Sequence, residues 1–324
     1  MAARLTPIPL PTPFRIGDVN CVVIEADVLA LVDVGPNDPP TLAALEQGLA
    51  ALGRRVEDVE LLLLTHQHYD HVGLAQQIVD RSGARVVAGR ALSGFLARGE
   101  QSLEDDDAFA ELQMHLHGVD ELTIRTLRDR ARARHPLGSS PAADIVLDDD
   151  DSLDLGGLVL RALHRPGHSP TDTVFLDEQH GRAIVGDHLL RHISSNPVLH
   201  LPIGAPVVVH PRPRTLVTYL DSLRATAALD IVEAYPGHGS LVTDHRALVQ
   251  KRIDGHEERK ERILGHLAAE PTTVRAIGQE LWPKLPVDQV YLALSEVVGH
   301  LDMLVDEGRA IELESAGLVQ YTRA

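Results

Sequence analysis

The stretch Thr65-His66-Gln67-His68-Tyr69-Asp70-His71-Val72-Gly73, THQHYDHVG, sets three histidines and an aspartate within six residues, directly after the apolar run Val59-Glu60-Leu61-Leu62-Leu63-Leu64. A short apolar run bounded by polar residues predicts a buried strand over 59–64. Beyond it, Val72, Ala75 and Ile78 return to helical spacing until Gly83 stops the helix. His66 and His68 are separated by one residue, so at a strand end both can project to the same side, while Asp70 and His71 fall in the turn into the helix. One catalytic zinc takes three protein ligands and a water. Four ligands from one loop therefore imply two neighbouring metal sites whose remaining ligands come from elsewhere in the chain.

The whole sequence limits the alternatives. Its 324 residues, 44% hydrophobic and 24% charged, fit a full-sized domain with a smaller second one. No apolar run is long enough to cross a bilayer, and MAARLTPIPLPTPFRIG lacks a continuous apolar segment, so a cytoplasmic protein with no membrane partner is expected. The single cysteine, Cys21 in NCVVIE, excludes an intrachain disulfide and a multi-cysteine zinc site, and reads as a small core residue. A net charge of −17 repels polyanions over the molecule as a whole and leaves nucleic acid needing a local basic patch.

Around the opening stretch, residues 20–35 predict a hairpin of buried strands, and 40–52 a helix with Thr41 as cap and Leu42, Leu45 and Leu49 on one face. Strand, helix and strand alternate, which predicts an α/β layered domain. Residues 91–134 read as a helical insertion, either a lid over a substrate pocket or a helical pair covering a sheet face. Strand signals resume from Ala143, with turns at Gly156-Gly157 and His180-Gly181 and a solvated Asp148–Asp151 run. The expected division is 1–248 for a catalytic domain and 249–324 for a small unit of three helices and a hairpin, the plan of a winged helix.

Three later positions end apolar strands and can complete the ligand set: His168 in RPGHSPTD, Asp187 in AIVGDH and His238 in YPGHG. A preceding glycine permits close backbone approach at each. Seven ligands serve two metals, three for each with one carboxylate shared, and a carboxylate has two oxygens to share. Nitrogen and oxygen donors suit zinc, with iron or manganese also compatible. His188 and His192 follow Asp187 closely and, with Tyr69, are candidates to face substrate. Other histidines, among them His200, His256 and His300, read as surface or helix residues.

HxHxDH, a lone histidine about a hundred residues later, GD after a strand and a final GHG resemble the metallo-β-lactamase fold superfamily of dinuclear hydrolases. The resemblance implies a four-layer αββα sandwich. It also implies that His66, His68 and His168 hold the first metal, that Asp70, His71 and His238 hold the second, that Asp187 bridges them, and that Asp33 in LVDVG lies beneath the centre. The expected chemistry is hydrolysis by a hydroxide shared between two divalent ions, oriented by Asp70. Without a leader or an active-site cysteine, antibiotic hydrolysis is not expected.

The tail from HEERKERILGHL to LVDEGRA resembles that of the β-lactamase-like protein 2 and glyoxalase-II-like group, which includes thioesterases and single-strand endoribonucleases. Residues 251–324 carry nine Lys and Arg against thirteen Asp and Glu, with one basic cluster at Lys251, Arg252, Arg259, Lys260 and Arg262. That balance departs from a nucleic-acid-reading face. The expectation is a hydrolase of a small ester or thioester, such as an acyl-CoA, an acyl-carrier thioester or a lactone, able to form a homodimer. The alternatives are a phosphodiesterase or endoribonuclease on the same metals, or a non-catalytic ligand-binding regulator.

Overall fold

The computed structural model describes residues 3–324. Six strands form the first sheet in sequence order: β1 (Arg4–Leu10), β2 (Val19–Glu25), β3 (Leu29–Val32), β4 (Leu61–Leu64), β5 (Arg85–Gly89) and β6 (Ile145–Leu147). Five form the second, in the order β11-β10-β9-β8-β7: β7 (Ser152–Asp154), β8 (Val159–His164), β9 (Thr173–Asp177), β10 (Arg182–Gly186) and β11 (Glu233–Pro236).

The continuous apolar runs arise because both faces of the first sheet are covered. Leu62 and Leu64 of β4 pack with Leu45 and Leu49 of helix α1 (Pro39–Ala51), while Leu61 and Leu63 pack with Phe175 and Ile184 of the second sheet. Cys21 and Leu31 likewise face the helices, and Val22 and Val32 face the other sheet. A period of two with both phases apolar is what a sheet between two layers requires. Each fully buried leucine contributes about 1.5–3 kcal/mol. Beyond the second sheet, Leu163, Val174 and Val185 pack on Leu216, Tyr219 and Leu223 of a helix over Thr215–Ala227. The molecule is thus a sheet-on-sheet sandwich with helices outside.

Thr41 does not cap α1. Asp38 does, its carboxylate accepting from Thr41 N at 2.9 Å, with prolines in the first turn. An aspartate followed by Pro39-Pro40 puts the cap three residues before Thr41 and starts the helix at Pro39, because proline at the first positions loses no hydrogen bond.

After β4 come α2 (Tyr69–Val72) and α3 (Ala75–Ser82), and after β5 the insertion, α4 (Arg90–Arg98), α5 (Glu100–Leu116) and α6 (Glu121–Arg132). The Thr215–Ala227 helix is α7, and α8 (His245–Leu264) runs through the expected boundary at 248. The chain ends with β12 (Thr272–Thr273), α9 (Val274–Leu281), α10 (Val290–Asp306), β13 (Ala310–Ser315) and β14 (Leu318–Arg323), the strands ordered β12-β14-β13. Phe109 of α5 and Ile124 of α6 share one apolar core with Ile263, Val297 and Leu301, so these two helices of the insertion pack on the C-terminal helices, while Leu92 and Leu96 of α4 pack on the first sheet with Val86 and Ala88. Among the described residues no helix is long and apolar enough to cross a membrane.

Candidate metal centre

Strand direction brings the ligand loops to one place. β3, β4 and β5 are parallel. In the second sheet β8 and β10 each run antiparallel to β9, and β11 is parallel to β10. The loops after β3, β4, β8, β10 and β11 thus leave their sheets at common ends, and they carry Asp33, the His66–His71 stretch, His168, Asp187 and His238.

All seven expected ligands meet there. His68 Nδ1 lies 3.1 Å from His66 Nε2 and 3.0 Å from His168 Nε2. Asp70 Oδ2 lies 3.4 Å from His238 Nε2. Between the groups sits Asp187, with Oδ1 3.5 Å from His71 Nε2, and Oδ2 3.6 Å from His168 Nε2 and 3.5 Å from His238 Nε2. One carboxylate therefore faces donors of both groups.

The reverse sides of the rings are held. His71 Nδ1 donates to Asp33 Oδ2 at 2.7 Å, and His238 Nδ1 donates to the Asp18 carbonyl at 2.7 Å. Thr65 Oγ1 donates to Asp33 Oδ2 at 2.7 Å and accepts from His66 Nδ1 at 2.9 Å. Each of these bonds leaves Nε2 with its lone pair turned inward, the tautomer a metal ligand needs.

The glycines before the ligands are required by space. A side chain at Gly186, where φ is +48°, would meet Thr65 Oγ1 at 2.8 Å, and one at Gly237 would meet His71 Cε1 at 2.7 Å. Gly167 presses on Tyr219, where an added Cβ would lie 2.5 Å from Cα.

These residues fit cations. His71 Nε2, Asp187 Oδ1 and His238 Nε2 are buried without a hydrogen-bond partner, an arrangement that costs stability unless something satisfies it. Burial pushes the His66 and His68 imidazoles down, His68 to about 3, which keeps their lone pairs free. Burial opposes charge on His71 as well, yet Asp33 and Asp187 hold it well above its ordinary range. The site's own field favours a positive charge at that position. Two separate sets of three donors, His66-His68-His168 and Asp70-His71-His238, each lie within 4.8 Å of one another, and a third, His66-His71-Asp187, shares one residue with each.

The substrate-facing candidates separate. Tyr69 lines a cavity of about 970 Å³ together with His68, Asp70, His168 and Asp187. His188 points the other way, fully buried with Nε2 2.8 Å from Thr226 Oγ1 and its ring against Tyr219. His192 is exposed beside Ser240, outside the residues that line the cavity. His200, expected to be a surface or helix residue, lines the cavity, and His256 and His300 are buried. Cys21 is fully buried and its thiol is pushed up by burial, so it is no nucleophile. Asp172 escaped sequence reading. It accepts from Ser169 N at 2.9 Å and from Ser169 Oγ at 2.7 Å, fixing the turn that presents His168, and the Ser169-Pro-Thr-Asp172 pattern was its signal.

Comparison with known proteins places this geometry. The model of the metallo-beta-lactamase superfamily matches residues 15–238. The probable metallo-hydrolase YqjP of Bacillus subtilis (strain 168) is 32% identical over 301 residues, covering 93% of this chain and 92% of that one. The crystal structure of the metallo-beta-lactamase family protein TTHA1429 from Thermus thermophilus superposes with a TM-score of 0.79 at 28% identity, over 99% of this chain and 98% of the other. A shorter match joins the chain to the atrochrysone carboxyl ACP thioesterase of Aspergillus fumigatus, 24% identical over 148 residues, 46% of this chain and 31% of that one. With the family model spanning more than half its length and the seven donors gathered at one sheet end, the chain belongs to the metallo-beta-lactamase superfamily.

Proposed function

We propose that the protein is a dinuclear metal-dependent hydrolase of thioesters, with His66, His68 and His168 holding one ion, Asp70, His71 and His238 the other, and Asp187 shared. The observation that carries this reading is the Asp187 carboxylate, which faces donors of both groups. Two divalent ions, zinc by donor type, supply Lewis acidity and an acidified water at neutral pH. The chain's own residues do the rest. Asp33, Thr65 and the Asp18 carbonyl fix the rings, and Asp70 is a proton acceptor beside the reacting carbonyl. Burial alone would lift the Asp70 carboxyl, but the His238 imidazole holds it below the usual carboxylate range, so it accepts rather than donates.

A thioester is favoured by the cavity and by the carrier-thioesterase match. Phe95, Leu103, Ile193 and Leu199 form apolar walls beside the ligands, suited to an acyl chain. Water adds to the acyl carbon, the C–S bond breaks, and the sulfur leaves as a thiol with the proton. Leu285, Gln289 and Tyr291 close the cavity from the C-terminal side, so residues 249–324 act in this reading as a winged-helix-like unit that shapes the pocket. Three of the five members of the expected basic cluster are engaged internally: Arg259 pairs with Glu296, Lys260 with Glu257 and Glu307, and Arg252 donates to the carbonyls of Leu190 and Arg191. That weighs against the endoribonuclease alternative. Release of free thiol from a panel of acyl-coenzyme A substrates, abolished by Asp187→Ala, tests the reading; thiol release unaffected by that substitution would overturn it.

A further inference from the structure

Resting on the thioester reading, we infer that the arginine face of α6 binds the phosphate of a phosphopantetheine arm and so selects thioesters carried on that group. Five arginines fall between positions 125 and 134, with Asp129 the one acid among them, in a chain whose net charge is −17. This concentration lies inside the insertion, away from the C-terminal cluster. Leu127, Arg130 and Ala131 fall on one face of α6, Arg134 continues that face in the turn just after the helix, and all four line a groove of about 570 Å³. That groove and the metal-centre cavity share Phe14, Ala131, Arg134 and Tyr291, so one passage runs from the ligands to α6.

The charges along it are sorted. Arg128 is paired with Glu111 at 3.4 Å, Arg15 with Asp288 at 3.2 Å, and Arg125 with Glu121 at 3.6 Å. Among the described residues neither Arg130 nor Arg134 is paired with a carboxylate; the Arg134 guanidinium lies over the Phe14 ring, 5.9 Å from its centre. Two unpaired guanidiniums, Arg134 where the groove meets the cavity and Arg130 in the groove beyond it, with apolar walls and then the metal ligands further in, match a substrate with its reacting carbonyl at one end of a neutral amide arm and a phosphate at the other. Guanidinium binds phosphate through paired N–H donors. A polynucleotide needs cations along its whole track, whereas the cavity presents Asp106, and Asp107, paired with His135 at 3.1 Å, lies where cavity and groove meet.

The experiment compares one acyl group on coenzyme A, on 4′-phosphopantetheine and on N-acetylcysteamine, which lacks phosphate, with the full-length protein and with Arg130→Ala/Arg134→Ala. The inference predicts a KM for both phosphorylated carriers about tenfold or more below that for N-acetylcysteamine, and a ratio falling toward one in the double variant. A ratio near one in the parent protein, or one unchanged by the double variant, overturns it. Similar KM values for coenzyme A and phosphopantetheine assign the contact to the arm's own phosphate; a preference for coenzyme A alone overturns that assignment. Calorimetric binding of free 4′-phosphopantetheine, lost in the double variant, reads the clamp without turnover. Binding without hydrolysis would therefore sink the thioesterase reading and keep the clamp, while hydrolysis without binding would do the reverse. Cleavage of a single-stranded RNA oligonucleotide that the double variant loses would overturn the inference in favour of a nuclease.

Discussion

Asp33 Oδ2 accepts a 2.7 Å hydrogen bond from His71 Nδ1, in a buried position where Asp33 itself takes a left-handed backbone with φ of 56°. Its other oxygen accepts from Thr65 N at 2.9 Å, so one carboxylate ties the end of β3 to the loop after β4. The left-handed conformation is uncommon outside glycine, and aspartate is among the residues that tolerate it.

Asp33→Asn tests this support. An amide has one acceptor oxygen where three donors converge, so a donor goes unsatisfied and the His71 ring loses its orientation. Metal affinity should fall about 10- to 100-fold, and stability by about 1–3 kcal/mol. Competition with a chromophoric chelator measures the first, and urea unfolding the second. Unchanged metal affinity would mean that Asp33 serves packing alone.

Gly237→Ala should disable the centre without unfolding the protein. The new methyl would collide with Asp187 Oδ1 and lie 2.7 Å from His71 Cε1. We expect metal content to drop and hydrolysis to fall about 10- to 100-fold while circular dichroism is preserved. Gly255→Ala is the contrasting case. It sits within α8 with open space around the added carbon, and should stabilise the protein by about 0.5–1 kcal/mol in urea melts.

The buried pair His256 and His300 predicts a pH dependence of stability. His300 Nδ1 donates to the Glu296 carbonyl at 2.6 Å, and His256 Nδ1 lies 3.2 Å from His300 Nε2. Burial drives both imidazoles from 6.5 down to about 4, despite Glu296 beside His256. The folded state thus binds protons less readily than the unfolded one. The stability from keeping them neutral is fully present above pH 6.5 and is lost as pH falls toward 4, by about 1.4 kcal/mol per pH unit for each imidazole. Urea unfolding between pH 7.5 and 4.5 should show a shallower slope for His256→Asn than for the parent. Parallel slopes would contradict the assignment.

Those parts of the site that depend on local spacing were legible. His66, His68, Asp70 and His71 belong to one loop, and the glycines at 167, 186 and 237 mark strand ends whose crowding requires them. The buried sheet followed from runs apolar in both phases. What depends on long-range packing was not legible. Asp187 and His188 are adjacent and both can ligate a metal, but successive residues at a strand end face opposite ways, and His188 went inward to Thr226. Arg259 and Lys260 of the Lys251–Arg262 cluster looked free because their partners Glu296 and Glu307 lie more than thirty residues away. The α6 arginines were passed over because nothing in a helical pattern reveals that its polar face borders a cavity. Asp38 was overlooked as a cap in favour of Thr41, which is the residue whose N–H it receives.

Metal content of the purified protein, measured by elemental mass spectrometry beside that of Asp187→Ala, tests the shared-carboxylate centre most directly. The account predicts about two divalent ions per chain in the parent, and one or fewer in the variant together with loss of hydrolysis. Two ions retained by the variant, or only traces in parent protein prepared in metal-replete buffer, would contradict it.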